Sequence, residues 1–154
     1  MSDFVSGLSK SCGDCLKVIA GLSANGDLPH SSKIAEQLGV PRSAVCRTLK
    51  KLADRGLIFY TPHNPAELTM SGKLAAEQLG RNRRIILDFL NRILNTDFDK
   101  ARILSCEMEH ILDNETVCKL EILSEALIRR NDCSDLRKIL SKKLKVSQNN
   151  VPVR

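Results

Sequence analysis

The chain has 154 residues, enough for one sizeable hydrophobic core or two small ones in sequence. Hydrophobic residues make up 42% and aromatic residues only 3%, which favours packed aliphatic helices over a β-sandwich. A formal net charge of +6 favours an anionic partner. No apolar run approaches the roughly 18 residues of a membrane span, no signal peptide is visible, and the six cysteines lack a disulfide pattern. We therefore expect a cytoplasmic protein with no membrane partner.

The first part of the chain predicts three helices and a β-hairpin. Helical spacing of apolar residues places the first helix at about 12–24, with Ser11 as its N-cap. Ser31 or Ser32 should cap a short second helix, which Gly39 ends, and Pro41 should open a third helix at about 42–55. The runs "LIFY" and "LTM" predict two short strands joined by the turn "TPHNPAE".

Two helices joined by a tight Gly-x-Pro turn and followed by a hairpin are typical of a winged helix-turn-helix, whose second helix enters the DNA major groove. The solvent side of the 42–55 helix is basic and polar, and we predict that it contacts double-stranded DNA through Arg42, Ser43, Arg47, Lys50 and Lys51. The predicted wing, 61–67, has no Lys or Arg and should add little affinity. The basic helix argues against the alternative that this domain docks onto another protein.

The second part predicts only helices, at about 72–94, 97–112, 114–130 and 133–144, before a disordered tail at 145–154. Expected N-caps are Thr96 or Asp97, Asp113 and Asn131. The fold class is therefore mainly α, with a winged helix-turn-helix at 1–72 and an all-helical domain at 73–144. Its last helices carry more apolar positions than one short bundle needs, which predicts a homodimer; they include Val117, Leu120, Leu123, Leu127, Leu136, Ile139 and Leu140.

The stretch "CEMEH" at 106–110 lies inside the predicted 97–112 helix. Because a helix turns about 100° per residue, Cys106, Glu109 and His110 should share one face. Met108 should instead join Leu104 and Ile111 on an apolar stripe. A thiolate, a carboxylate and an imidazole on one face suit borderline divalent metals such as Fe²⁺, Zn²⁺, Co²⁺ or Mn²⁺. A surface carboxylate, a buried Cys and a hydrogen-bonded His would give the same pattern without a metal.

Three segments together resemble the diphtheria-toxin-repressor family of metal-dependent regulators, in its short, two-domain manganese-transport-regulator form. They are "SSKIAEQLGVPRSAVCRTLKKLADRGLIFY", "LTMSGKLAAEQLGRNRRIILDFL" and "CEMEHILDNETVCKL", and the similarity covers roughly residues 12–128. The resemblance implies a transcriptional regulator of metal homeostasis, expected to act as a repressor. It would bind a palindromic operator as a homodimer and respond to Fe(II) or Mn(II).

The family's primary metal site falls on Asp14, Cys106, Glu109 and His110. Its second site is absent, because the corresponding positions hold Lys17 and Arg83, and a cation cannot ligate a cation. A Cys in place of the manganese branch's Glu shifts the preference towards softer metals, so we favour Fe(II), then Mn(II), Zn(II) or Co(II). Whether any metal is needed stays open at this point, given the two cations.

Cys12 and Cys15 form a C-x₂-C pair beside Asp14. One alternative is a regulator of the same fold that senses redox state, or binds an Fe–S cluster or Zn, through Cys12, Cys15 and Cys106. The other interpretation is that both thiols are small core residues. Metal-assisted hydrolysis beside Glu109 would need a roomy pocket, of which the sequence gives little sign, so we do not expect an enzyme.

Overall fold

The computed structural model describes residues 5, 7–129, 135–136 and 138–140. It divides into two compact units, the first ending at Arg81 and the second beginning at Asn82. The predicted disordered tail at 145–154 and most of the 133–144 helix lie outside the described residues. Among the helices that are described, none is long and apolar enough to cross a membrane.

Three helices and a hairpin form most of the first unit. The helices are α1 (Lys10–Ala24), α2 (Ser31–Leu38) and α3 (Arg42–Asp54). Strands β1 (Ile58–Phe59) and β2 (Glu67–Leu68) pair antiparallel. All three helices contribute fully buried aliphatic side chains to one core, among them Leu16, Ile34 and Leu49. The unit is a winged helix-turn-helix, as predicted.

Two glycines fix the backbone of this unit. Gly39 follows α2 with φ 64°, a left-handed conformation that Gly adopts without a Cβ penalty. Gly72 lies in the first turn of α4 (Met70–Asp88), where an added Cβ would come within 1.9 Å of the Leu57 carbonyl oxygen. A larger residue at position 39 would strain the turn before α3. A larger residue at position 72 would displace the backbone of Leu57, next to the hairpin.

The described residues of the second unit form helices joined by short turns. The end of α4 continues into a π-helical turn (Phe89–Ile93), followed by α5 (Phe98–Met108) and α6 (Asn114–Arg129). Its core joins these elements through Ile86, Leu90, Ala101 and Val117. Asn82 is buried and donates a hydrogen bond from Nδ2 to Asn114 Oδ1 at 3.1 Å. The prediction of a mainly α chain with helices after the winged domain is confirmed.

Helix starts were predicted with mixed success. Ser11 is not a cap, because α1 begins at Lys10 and follows Ser9. Ser31 and Ser32 are not caps either, because both lie inside α2. Asp97 does cap α5, accepting a hydrogen bond from Lys100 N at 3.1 Å, and Asp113 caps α6, accepting one from Thr116 N at 2.7 Å. Asn131 lies outside the described residues.

Helix α5 is shorter than predicted. It ends at Met108, and the next residues form a tighter turn with hydrogen bonds to the third residue back. These run from His110 N to Glu107 O at 3.3 Å and from Ile111 N to Met108 O at 3.1 Å. The predicted stripe of Leu104, Met108 and Ile111 is wrong. Met108 packs against the second core, whereas Leu104 and Ile111 are 36% and 80% exposed.

Candidate functional site

Helix α3 has one apolar face and one basic face. Val45, Leu49 and Leu52 are buried in the core of the first unit. The five residues predicted to contact DNA are all exposed, and they are Arg42, Ser43, Arg47, Lys50 and Lys51. Because the apolar face fixes the rotation of the helix about its axis, the cationic side chains are held towards solvent. This arrangement suits the phosphates and base edges of a DNA groove.

A polar cluster lies at the N-terminal end of α3. Arg42 Nε donates a hydrogen bond to Ser31 Oγ at 2.9 Å, and Ser31 is itself buried on α2. Near it, burial and a hydrogen bond with the Cys46 thiol raise the pKa of Tyr60, while the charge of Arg42 acts in the opposite direction. The hydrogen bond to Ser31 therefore restricts the orientation of the Arg42 guanidinium group. Arg42 was predicted from the sequence, whereas its interactions with Ser31 and Tyr60 were not, because they join residues distant in the chain.

In the second unit, three predicted metal ligands occur where α5 ends. Cys106 lies in the last turn of α5 and is partly buried, and Glu109 and His110 follow the helix. Glu109 is only 1% exposed. His110 Nε2 lies 3.3 Å from Glu109 Oε1, and the His110 side chain is 6% exposed. Glu109 and His110 are therefore in direct contact, although the helix on which they were predicted to share a face has already ended.

These donors fit a borderline divalent metal. A carboxylate this deeply buried is costly unless it is paired with a cation or bound to a metal. Imidazole nitrogen, carboxylate oxygen and thiolate sulfur are the ligand types that Fe²⁺, Zn²⁺, Co²⁺ and Mn²⁺ accept in different proportions. The second unit thus offers the chemistry of a metal site.

Asp14, the fourth predicted ligand, lies on α1 in the first unit. Its Oδ1 is 3.1 Å from Lys17 Nζ, one helical turn further on. Both side chains are largely buried, with 24% of Asp14 and 19% of Lys17 exposed.

Cys12 and Cys15 belong to the hydrophobic core of the first unit, where they are 4% and 2% exposed. Burial, with the nearby Cys12 and Asp14 charges, raises the pKa of Cys15 from 9.0 to about 12. A thiol held in its neutral form is a poor metal ligand and a poor nucleophile. The interpretation as core residues is therefore favoured, and the alternative of a redox pair or cluster at these cysteines is not.

Two family models match consecutive parts of the chain. Residues 7–66 match the MarR family model. Residues 69–140 match the model described as iron dependent repressor, metal binding and dimerisation domain. The first match covers α1, α2, α3 and β1, and the second covers α4, α5 and α6 together with Cys106, Glu109 and His110.

The curated relatives of this chain include proteins named as repressors or transcriptional regulators. The chain is 28% identical to the diphtheria toxin repressor of Corynebacterium efficiens over 71% of this chain and 48% of that protein. It is 28% identical to the transcriptional regulator MntR of Escherichia coli O6:H1, covering 73% of this chain and 72% of that one. An uncharacterized helix-turn-helix regulator of Methanocaldococcus jannaschii is 29% identical over 77% of this chain and 95% of its own length. This chain therefore spans about half the length of the diphtheria toxin repressors.

Solved structures of manganese regulators share the fold. The manganese regulator SloR superposes with a TM-score of 0.66 at 28% identity, covering 75% of this chain and 54% of that chain. A manganese-dependent transcriptional repressor in complex with manganese gives a TM-score of 0.64 at 26% identity, covering 74% and 52%. The fold, the two matched models and these relatives agree with each other.

Proposed function

We propose that this chain, which belongs to the diphtheria-toxin-repressor family of metal-dependent regulators, is a DNA-binding repressor whose operator affinity depends on a divalent metal ion. The observation that carries the proposal is the combination of two features in one chain. One is the exposed basic face of α3, and the other is the buried pair of Glu109 and His110. The role is regulatory rather than enzymatic.

The proposed DNA contact is made by α3. Arg42 and Arg47 can donate paired hydrogen bonds to guanine edges, whereas Ser43, Lys50 and Lys51 suit phosphate oxygens. The wing, 61–67, has no Lys or Arg, so α3 supplies most of the affinity. The operator is proposed to be palindromic, with half-sites about one helical turn apart, because two copies of α3 related by twofold symmetry would read it.

The proposed dimer forms through the second unit. Several large apolar side chains of α5 and α6 are exposed in the single chain, and they include Phe98 (57%), Ile103 (59%), Ile122 (68%) and Leu123 (47%). Exposed apolar surface on this scale is a common mark of a protein interface. The matched description of this region as a dimerisation domain supports the same conclusion.

The proposed metal ligands are Asp14, Cys106, Glu109 and His110. The last three supply sulfur, oxygen and nitrogen donors, and the inclusion of Asp14 rests on the resemblance of α1 to the family. A bound divalent ion would neutralise the buried carboxylate of Glu109 and accept the imidazole of His110. We favour Fe(II) as the physiological ion, then Mn(II), Zn(II) or Co(II), because the thiolate favours softer metals.

Two substitutions on α3 test the DNA-binding part of this proposal. We expect Arg47→Ala to cost about 1–3 kcal/mol at the specific operator and to relax one base position, because a bidentate base contact is lost. We expect Lys50→Ala to weaken all sequences alike and to reduce the salt slope by about one, because one phosphate contact is lost. Fluorescence anisotropy on operators selected from a random DNA pool measures both.

Glu36→Ala serves as the control, because Glu36 is exposed on α2 outside the proposed contact surface. Its DNA affinity should match that of the wild type. If Arg47→Ala changes neither affinity nor base preference, α3 is not the helix that reads the operator.

A further inference from the structure

Asp14, which is proposed to bind the metal, forms an ion pair with Lys17. Lys17 Nζ is 3.1 Å from Asp14 Oδ1, and the two residues are three positions apart on α1. This spacing places the two side chains next to each other on one face of a helix. The pair is also poorly solvated, since 19% of Lys17 and 24% of Asp14 are exposed. The backbone of α1 therefore keeps an ammonium group beside this carboxylate.

An ammonium group and a divalent metal ion compete for the same carboxylate. Each gains from the negative charge, and each repels the other at a separation of a few ångströms. Screening by water is reduced where both side chains are mostly buried, so the repulsion is stronger than on an open surface. A metal approaching Asp14 must displace Lys17 or share the carboxylate with it.

A second Lys–Asp pair in the same unit provides a comparison. Lys33 Nζ lies 2.6 Å from Asp27 Oδ1, but both side chains are 46% exposed. Neither residue belongs to the proposed ligand set. The two pairs therefore separate a general effect of removing a lysine from an effect at the metal ligand.

We propose that Lys17 is a resident cation that competes with the metal for Asp14 and so raises the metal concentration at which the protein responds. The inference rests on the proposed metal function of Asp14. When metal is scarce, the ammonium group neutralises the carboxylate of Asp14. When metal is abundant, the ion binds against this competition, and its apparent affinity is lower than the ligands alone would give.

Calorimetric titration of the full chain with Mn²⁺, an air-stable probe, tests the proposal. The variants are Lys17→Gln, which removes the charge, Lys17→Arg, which retains it, and Lys33→Gln, which makes the same change in net charge elsewhere. We expect Lys17→Gln to bind Mn²⁺ about tenfold more tightly than the wild type. Lys17→Arg and Lys33→Gln should remain within about twofold of the wild type.

A second measurement covers the case in which Lys17→Gln folds poorly. Lys17→Met keeps the length of the side chain and its apolar packing, and it should show the same gain in Mn²⁺ affinity. The rise in melting temperature on adding Mn²⁺ should be larger for both neutral variants than for the wild type.

The outcomes separate the two proposals. Equal Mn²⁺ affinity in the wild type and both neutral variants overturns the role of Lys17 and leaves the metal function standing. Weaker binding by both neutral variants also overturns it, because the ammonium group would then assist the metal. An absence of binding in every protein overturns the proposed metal function together with this inference.

Discussion

At the scale of single residues, the hydrogen bond that holds Arg42 is the feature that links packing to the proposed DNA contact. Its Nε donates to Ser31 Oγ at 2.9 Å, so part of its rotamer freedom is lost before any DNA arrives. The hydroxyl of Ser31 is available because Ser31 lies within α2 instead of capping it. A long cation that is already oriented loses less entropy on binding.

We expect Ser31→Ala to weaken operator binding by about 0.5–1.5 kcal/mol, because the orienting hydrogen bond is lost. In an Arg42→Ala background, Ser31→Ala should have almost no further effect, since the two residues act through one contact. Anisotropy measurements on all four proteins complete the cycle. Ser32→Ala, at the exposed neighbour of Ser31, is the control. Simple additivity of the two substitutions would show that Ser31 does not act through Arg42.

The residues of this surface were predictable to different degrees. The exposed face of α3 follows from the spacing of Val45, Leu49 and Leu52, which local periodicity reveals. Ser31 contacts Arg42, and Tyr60 comes within reach of its charge, only after the chain has folded, so no local sequence pattern predicts either interaction. The role of Cys15 was ambiguous for a similar reason. Burial decides whether a thiol is reactive, and burial cannot be read directly from the sequence.

At the scale of elements, the connection between α5 and α6 shows how a capping residue decides a boundary. Apolar spacing extends the predicted helix to Leu112, yet α5 ends at Met108 and a short turn follows. Periodicity cannot distinguish an α-helix from a tighter turn over four residues. The start of α6 was predictable because Asp113 is a strong N-cap, and it accepts the backbone hydrogen bond of Thr116.

The hydrogen bonds from Thr116 lower the pKa of Asp113, which makes this cap sensitive to acid. A lowered folded-state pKa means that the charged cap stabilises the protein above the unfolded-state pKa, and that this stabilisation is lost as the pH falls through the folded-state pKa. We expect Asp113→Ala to lower the melting temperature at pH 7, and the difference from the wild type to shrink below about pH 3.8.

Asp113→Asn is the matched control for this prediction, because Asn also caps helices but does not titrate in this range. Its melting temperature should lie closer to that of the wild type at pH 7. A wild-type to Asp113→Ala difference that stays constant between pH 7 and pH 2, measured by circular dichroism, would contradict the role of a charged cap.

At the scale of the whole molecule, the exposed apolar side chains of α6 predict self-association. Ile122 is 68% exposed although α6 also contributes Val117 to a core, so the helix has a second apolar surface that the described residues of its unit leave exposed. We expect a homodimer in light scattering at micromolar concentration. Ile122→Glu should shift it to monomers and weaken operator binding, because a buried unpaired charge is costly.

Leu28→Glu is the control for the dimer, since Leu28 is 61% exposed and belongs to the first unit instead of to α5 or α6. It should leave the wild-type mass unchanged. A monodisperse monomer of the unaltered chain would contradict the dimer and, with it, the argument for a palindromic operator.

The proposed function depends above all on the response of DNA binding to a divalent metal. Operators selected from a random pool are titrated with metal-free protein and then with Mn²⁺ added, for the wild type and for Glu109→Gln and His110→Ala. We predict that Mn²⁺ tightens wild-type binding by about tenfold or more and leaves both variants unchanged, because the buried donors of the second unit are lost. Wild-type affinity that is the same with and without Mn²⁺, and also with Fe²⁺ under anaerobic conditions, would contradict metal-dependent DNA binding.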